Sequence, residues 1–158
     1  DHKDIYSHSG YNLKITDMQA ACGLAQLNRL PEFINKRNAN FSYLTKALKG
    51  VDWLLLPQAT QNAEPSWFGY PLTLAYGKSI SRNALISHLT NRKIGTRLLF
   101  AGNLLRQPYM QGVKYRVIGE LPVADRIMRD TFWVGVWPGL GEQHMDYIAQ
   151  SLRDFVKN

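Results

Sequence analysis

The chain has 158 residues, of which 45% are hydrophobic and 20% charged, and this composition is typical of one soluble globular domain with a buried core. No apolar run approaches the roughly 18 residues that a membrane-spanning helix needs, and no signal peptide opens the chain, so we expect a cytoplasmic protein without a membrane partner. The formal charge of +7 comes from 19 basic and 12 acidic residues that are scattered along the sequence without a nucleic-acid-binding motif. This excess therefore favours a small anionic ligand, such as a diphosphate, over nucleic acid.

The first predicted helix begins near Asp17. Thr16 and Gln19 have the spacing of a capping box, in which each side chain binds the other residue's backbone amide. The apolar residues that follow at helical period are Met18, Ala21, Leu24, Ala25 and Leu27. Ala20, Ala21 and Gly23 are small enough for close helix contacts, which would suit a dimer interface.

Pro31 interrupts this helical pattern because proline lacks an amide donor. We expect a kink or a new helix there, running to Lys49 and closed by Gly50. Its apolar face consists of Phe33, Ile34, Phe41, Leu44 and Leu48.

Short aromatic and branched runs bounded by turn residues predict strands in "VDWLLLP", "SWFGYPLTLAY", "TRLLF" and "FWVGVWP". Further helices are predicted over residues 83–92, capped by Ser81, over 122–131 and over 142–157. The segment 101–122 is long and irregular, and loops of this length are usually functional or disordered. Helices before, between and after a few short strands indicate an α+β fold.

The run "SHSGYNLK" stands directly before the first helix. A helix N-terminus favours an anion, the amide of Asn12 can donate two hydrogen bonds, and Lys14 adds a cation. These residues could therefore hold a phosphate. The alternative is that Gly10 and Asn12 only shape a turn.

The segment "YSHSGYNLKITDMQAACGLAQLNRL" resembles the segment that joins the two domains in the DegT/StrS family of sugar aminotransferases. The segments "KIGTRLLFAGNLLRQPYM" and "TFWVGVWPGL" are similar to a branch of that family, the nucleotide-sugar 3-dehydrases of 3,6-dideoxyhexose biosynthesis, above all those acting on CDP-4-keto-6-deoxyglucose. The resemblance covers essentially the whole chain and places it in the C-terminal part of such an enzyme.

This resemblance implies the small C-terminal domain of a fold-type I pyridoxal-phosphate (PLP)-dependent transferase. Such a domain has an α+β fold with a long N-terminal helix and a short, mostly antiparallel sheet covered by helices. Residues 1–15 would be the linker from the large domain, and residues 16–158 would form the small domain.

The resemblance also implies roles for individual residues. Asn12 and Lys14 would be cofactor-binding residues: Asn12 matches the family asparagine that crosses the homodimer interface to the neighbouring subunit's cofactor phosphate, and Lys14 matches a basic position near the substrate diphosphate. Arg97, Asn103 and Gln107 match the strand and loop that cover the nucleotide-diphosphate sugar.

The family's catalytic groups match nothing in this chain, so we expect no catalytic residue, no metal ligand and no activity from these residues alone. In the 3-dehydrases a histidine replaces the Schiff-base lysine, the cofactor remains pyridoxamine phosphate (PMP), and cysteines bind a [2Fe-2S] cluster that a flavin or iron-sulfur reductase supplies with electrons. These ligands would lie upstream of Asp1, and Cys22 does not match one. A lysine at the missing position would instead indicate an aminotransferase, and a non-catalytic basic binding module is the alternative from another class.

The remaining polar and aromatic candidates have weaker interpretations. His2 and His8 are expected to be surface or interface hydrogen-bonding groups rather than bases, and His88 and His144 are expected to be solvated. Residues 114–116 are either a solvated loop or a basic lip for the nucleotide or a reductase. The cluster Trp67, Phe68, Trp133 and Trp137 is expected to be core rather than a stacking site for a base.

Overall fold

The computed structural model describes residues 13–77 and 79–156. The chain divides into two compact units, Asp1–Glu32 and Phe33–Asn158. The boundary expected between a linker over 1–15 and a domain over 16–158 remains a prediction, since residues 1–12 lie outside the described residues.

Helix α1 spans Asp17–Leu27 and begins with the predicted capping box. The Gln19 amide donates to Thr16 Oγ1 over 3.4 Å, and the Thr16 amide donates to Gln19 Oε1 over 2.9 Å. All residues of α1 are exposed, with Met18 at 80% of its full surface. The apolar pattern that predicted the helix is therefore present, but its side chains are not buried among the described residues.

Helix α2 spans Leu30–Ala47, so the predicted new start at Pro31 is confirmed. Pro31 lies in the first turn, where the missing amide would have had no helical partner. The helix ends two residues before the predicted Lys49, and a turn follows in which Gly50 takes a positive φ of 83°. Its C-terminal half buries Asn40, Phe41 and Leu44.

In the part of the chain that the structure describes, four strands form one sheet: β1 (Leu54–Leu55), β2 (Gly69–Leu74), β3 (Thr96–Leu98) and β4 (Thr131–Gly135). Their spatial order is β1-β2-β4-β3, and all three pairings are antiparallel. β2 and β4 are thus the central strands, and β3 is an edge strand.

Alternate residues of the central strands point into the core, because successive side chains of a strand lie on opposite faces. The buried set is Tyr70, Leu72 and Leu74 of β2 with Phe132 and Val134 of β4. They join one cluster with side chains from α2, from α3 (Arg82–Asn91) and from α5 (Glu142–Asp154). The helical members are Phe41, Leu44, Leu85, Leu89, Met145, Ile148, Ala149 and Leu152. The predicted α+β fold with a short antiparallel sheet is confirmed.

Helix α3 is capped by Ser81 as predicted: Ser81 Oγ accepts from the Ala84 amide over 3.4 Å. Helix α4 spans Pro122–Asp130 and has Pro122 in its first turn. Among the described residues, none of these helices has the length and apolar character that crossing a membrane requires.

The connection between β3 and α4 is irregular, as the sequence predicts. It contains two 3₁₀ turns, Leu104–Arg106 and Pro108–Met110, and no longer element. This connection carries two of the predicted substrate-covering residues, Asn103 and Gln107, whereas the third, Arg97, lies in β3.

Candidate functional site

Arg97 lies in the middle of the edge strand β3. Its Cα partner is Trp133 on β4, which in turn pairs with Pro71 on β2. Pro71 and Trp133 alternate with buried residues along β2 and β4, and Arg97 is paired with Trp133, so the three share the sheet face that points away from the core. Arg97 is exposed, and within residues 13–77 and 79–156 it has no ion pair. An arginine in this position can donate two parallel hydrogen bonds from its guanidinium to a phosphate.

The chain reverses directly after β3, in a turn with an unusual backbone. The Phe100 amide donates to the Leu98 carbonyl over 2.8 Å, and Phe100 has a φ of +52°. Gly102 follows with a φ of +68°. A Cβ on Gly102 would lie 2.5 Å from Met128 Cβ and 2.6 Å from Met128 Cα, so this glycine lets the turn approach α4 closely.

Asn103 closes this turn and is buried, at 4% exposure. Its Oδ1 accepts from the Leu105 amide over 3.0 Å, which caps the first 3₁₀ turn. Its Nδ2 donates to Asp125 Oδ1 over 2.7 Å. The side chain thus joins the connection to the first turn of α4. Its predicted contact with a sugar nucleotide remains a prediction.

Asp125 also forms a bidentate ion pair with Arg106. Arg106 Nε and Nη2 each lie 3.0 Å from a carboxylate oxygen. The hydrogen bonds from Arg106 and then Asn103 favour the charged carboxylate and lower the pKa of Asp125 from 3.8 to about 2. Neither member of this pair is predicted from the sequence, since Arg106 and Asp125 are 19 residues apart and no motif connects them.

Gln107 also holds the turn that follows β3. Its Nε2 donates to the Ala101 carbonyl over 3.0 Å, and the side chain is half-buried. Gln107 therefore holds the residue that directly follows Phe100. Its predicted contact with substrate, like that of Asn103, remains a prediction.

A cleft of about 440 Å³ lies between the connection and α4. Asn103, Arg106 and Asp125 line one part of it, and Tyr115 lines another. Lys114, Tyr115 and Arg116 are exposed, as both interpretations of this segment require.

In the first unit, Lys14 is exposed and lies with Ile15, Thr16 and Asp17 around a shallow cleft of about 400 Å³. An exposed ammonium before a helix start is free to meet an anion. Asn12, its predicted companion at the cofactor phosphate, lies outside the described residues, as do His2 and His8.

The expectation that His88 is solvated is wrong. His88 is half-buried on α3, its Nε2 lies 2.9 Å from the Ser151 carbonyl, and its ring meets that of Phe155 edge-on at 5.3 Å. It connects α3 to α5. His144 is exposed, as expected, and its Nδ1 accepts from the Gly141 amide over 3.1 Å at the start of α5.

The aromatic residues divide between core and surface. Trp67 stacks on Phe41 at 3.9 Å between ring centroids and packs against the core, as expected. Phe68 packs against Trp133 at 5.1 Å but is 67% exposed, and Trp137 is 65% exposed. The expectation of core positions is therefore wrong for Phe68 and Trp137.

The family model of the DegT/DnrJ/EryC1/StrS aminotransferases matches residues 1–153. The chain belongs to this family. In a solved structure of a related protein, the architecture described above forms only part of the chain.

Two curated relatives match almost the whole chain. The lipopolysaccharide biosynthesis protein RfbH of Salmonella typhimurium is 58% identical over 98% of this chain and 36% of its own length. A dTDP-4-dehydro-2,6-dideoxy-D-glucose 3-dehydratase of Saccharopolyspora spinosa is 46% identical over 99% of this chain and 34% of its own length. The chain thus spans about a third of the length of these relatives.

Among solved structures, a GDP-4-keto-6-deoxymannose-3-dehydratase with a trapped PLP-glutamate geminal diamine superposes on this family member with a TM-score of 0.84. It is 28% identical, and the match covers 91% of this chain and 37% of that one. Two of these three proteins are named as sugar 3-dehydratases, one of them with PLP bound, and the fold of this chain is that of one part of that solved structure.

Proposed function

We propose that this chain is the C-terminal small domain of a nucleotide-sugar 3-dehydratase, which removes the C3 hydroxyl of CDP-4-keto-6-deoxyglucose in 3,6-dideoxyhexose and O-antigen biosynthesis. The observation that carries the proposal is the identity to RfbH and to a dTDP-sugar 3-dehydratase, 58% and 46% over nearly the whole chain. The setting is cytoplasmic, where activated sugars are made.

In this proposal the exposed face of the sheet meets the substrate. Arg97 donates to the diphosphate, because an unpaired guanidinium on an edge strand can engage two phosphate oxygens at once. The connection after β3 covers the sugar nucleotide, and Asn103 and Gln107 keep it in place. Arg106 is paired with Asp125, whereas Arg97 is exposed and has no ion pair among the described residues, so Arg97 is the cation proposed to meet the diphosphate.

Asn12 and Lys14 are proposed to hold the phosphate of a PLP or PMP cofactor bound to the partner subunit of a homodimer. Lys14 fits this role because its ammonium is exposed before a helix start. When bound, the cofactor supplies the amine and the electron-accepting ring that expulsion of a hydroxyl next to a ketone requires. This chain would anchor the cofactor phosphate and cover the sugar nucleotide. The proton transfers would be carried out by residues outside this chain.

A [2Fe-2S] cluster does not fit the residues present. Such a cluster needs four protein ligands, at least two of them cysteine thiolates, whereas the chain has one cysteine, Cys22, on the exposed surface of α1. If the protein has a cluster, its ligands are elsewhere in a longer polypeptide. The exposed basic residues Lys114 and Arg116 would then be the docking lip for an acidic reductase.

Two other functions predict different outcomes. A nucleotide-sugar aminotransferase, favoured by the family name, would keep the C3 hydroxyl and place an amine at C4. A non-catalytic basic binding module would bind nucleic acid with a steep dependence on salt concentration.

The test is product analysis with the full-length protein. The protein is loaded with PMP, incubated with CDP-4-keto-6-deoxyglucose and a chemical reductant, and the product is examined by NMR. We expect a sugar that lacks the C3 hydroxyl. A C4 amino sugar formed with PLP and glutamate would instead support the aminotransferase, and salt-sensitive nucleic-acid binding without turnover would support the binding module.

A further inference from the structure

Phe100 combines a strained backbone with an exposed ring. Its φ is +52°, a region that side chains with a bulky Cβ substituent rarely adopt. Its side chain is 83% exposed, and no aromatic contact involves it among the described residues. Among the described residues, nothing buries the ring of this phenylalanine, although its backbone is held in a left-handed conformation.

The surrounding structure holds this turn from both sides. Gln107 donates to the Ala101 carbonyl, and Gly102 lies against the backbone of α4 at Met128. Asn103 is tied to Asp125. A backbone outlier persists when its neighbours fix it in this way, and such outliers concentrate at ligand sites.

The turn itself does not require phenylalanine. Glycine or asparagine adopts a positive φ at little cost, and neither would expose an apolar ring to water. The phenyl ring is thus costly in two respects, through backbone strain and through exposed apolar surface. A ligand that covers the ring would offset both costs.

We propose that Phe100 is the aromatic platform on which the base of the nucleotide sugar stacks. The inference rests on the proposed function, since it takes the ligand to be a nucleotide sugar. Arg97, three residues earlier on β3, binds the adjoining diphosphate. Asn103 and Gln107 are positioning residues that act through the turn and not through contact with the ligand.

This assignment makes a chemical prediction about base selectivity. A phenyl ring has a face for stacking but no donor or acceptor with which to distinguish base edges. Stacking on an aromatic side chain tolerates every base. Phe100 should therefore strengthen the binding of cytosine and guanine nucleotides alike, and leave the affinity for a diphosphate without a base unchanged.

The test uses the full-length protein with Phe100→Ala, Phe100→Gly and Phe100→Tyr. Dissociation constants for CDP, GDP and inorganic diphosphate are measured by calorimetry, and melting temperatures are recorded without ligand. We expect about a tenfold loss of CDP and GDP affinity in the Ala and Gly variants, unchanged diphosphate affinity, and near-normal binding in the Tyr variant. The Gly variant should melt above the Ala variant, because glycine relieves the strain.

Two results would overturn the inference. CDP affinity within twofold of wild type in Phe100→Ala would show that the ring contacts no base. A melting temperature lowered equally by Ala and Gly, with diphosphate affinity lost as well, would show that Phe100 packs against another part of the protein. Either result leaves the proposed function intact if the wild-type protein still removes the C3 hydroxyl, so the two failures are distinguishable.

Discussion

Asp125 shows how one carboxylate can hold a long connection in place. It joins Asn103 and Arg106, which lie 22 and 19 residues earlier in the chain. Because its pKa is lowered from 3.8 to about 2, the folded state prefers the charged carboxylate more strongly than the unfolded chain does. The stabilisation is present above about pH 4 and is lost as the pH falls towards 2.

The variant Asp125→Asn tests this contribution. It should unfold at a lower temperature than wild type at pH 7, and its melting temperature should depend less on pH between 5 and 2. Thermal unfolding followed by circular dichroism gives both quantities. Glu64→Gln, at an exposed carboxyl in the segment before β2, is the control. Parallel pH profiles for wild type and Asp125→Asn would show that the ion pair does not stabilise the fold.

Substitution of Arg97 tests the proposed binding of the nucleotide diphosphate. Arg97→Ala should weaken binding of CDP by roughly 10- to 100-fold, because a charge-assisted hydrogen bond to phosphate contributes about 1.5–3 kcal/mol. Arg97→Lys should recover part of the loss, since it keeps the charge but not the paired donors. Calorimetric titration of the full-length protein measures both. Unchanged affinity in Arg97→Ala would place the diphosphate elsewhere.

The connection and α4 form one packed unit at the scale of elements. The close approach of Gly102 to Met128 predicts that Gly102→Ala is strongly destabilising, by about 3 kcal/mol from the positive φ and the clash together. Gly112→Ala is the matched control, since Gly112 also has a positive φ, of 79°, but open space around it. It should cost about 1 kcal/mol.

Urea unfolding of the two glycine variants measures the difference. An equal loss in free energy of unfolding would mean that the contact with α4 is not tight. A larger loss for Gly102 would confirm that α4 fixes the position of the turn at Phe100.

The buried side-chain amide of Asn40 joins helix α2 to the turn before α5. Asn40 Nδ2 donates to the carbonyls of Trp137 and Leu140 over 3.2 and 3.1 Å. Asn40→Ala leaves both acceptors without this donor and should cost about 2 kcal/mol. Asn35→Ala, on the exposed surface of the same helix, should be close to neutral. Urea unfolding of both variants checks this, and similar values would contradict it.

Sequence patterns predicted the features of the fold that depend on neighbouring residues. The caps at Thr16 and Ser81 and the helix start at Pro31 follow from side chains within three or four positions of the helix end. The contacts of Asn40 and Asp125 join residues far apart in the chain, so no local sequence pattern predicts them. Phe100 was missed for another reason: its residue type argues against the conformation that it adopts.

At the scale of the whole molecule, family membership and structure account for different parts of the function. The identities to RfbH and to a sugar 3-dehydratase support the proposed reaction, whereas the geometry of β3 and the connection after it is the basis for the proposed binding site. The contact of Asn12 across a dimer interface remains a prediction, because that residue lies outside the described range.

Hydrogen–deuterium exchange of the full-length protein, with and without CDP, tests the central claim most directly. If β3 and the connection after it hold the nucleotide, peptides spanning residues 96–107 should exchange more slowly when CDP is bound, while peptides from Glu142–Asp154 should not change. Unaltered exchange over 96–107 at saturating CDP, with protection elsewhere in the chain, would contradict the account.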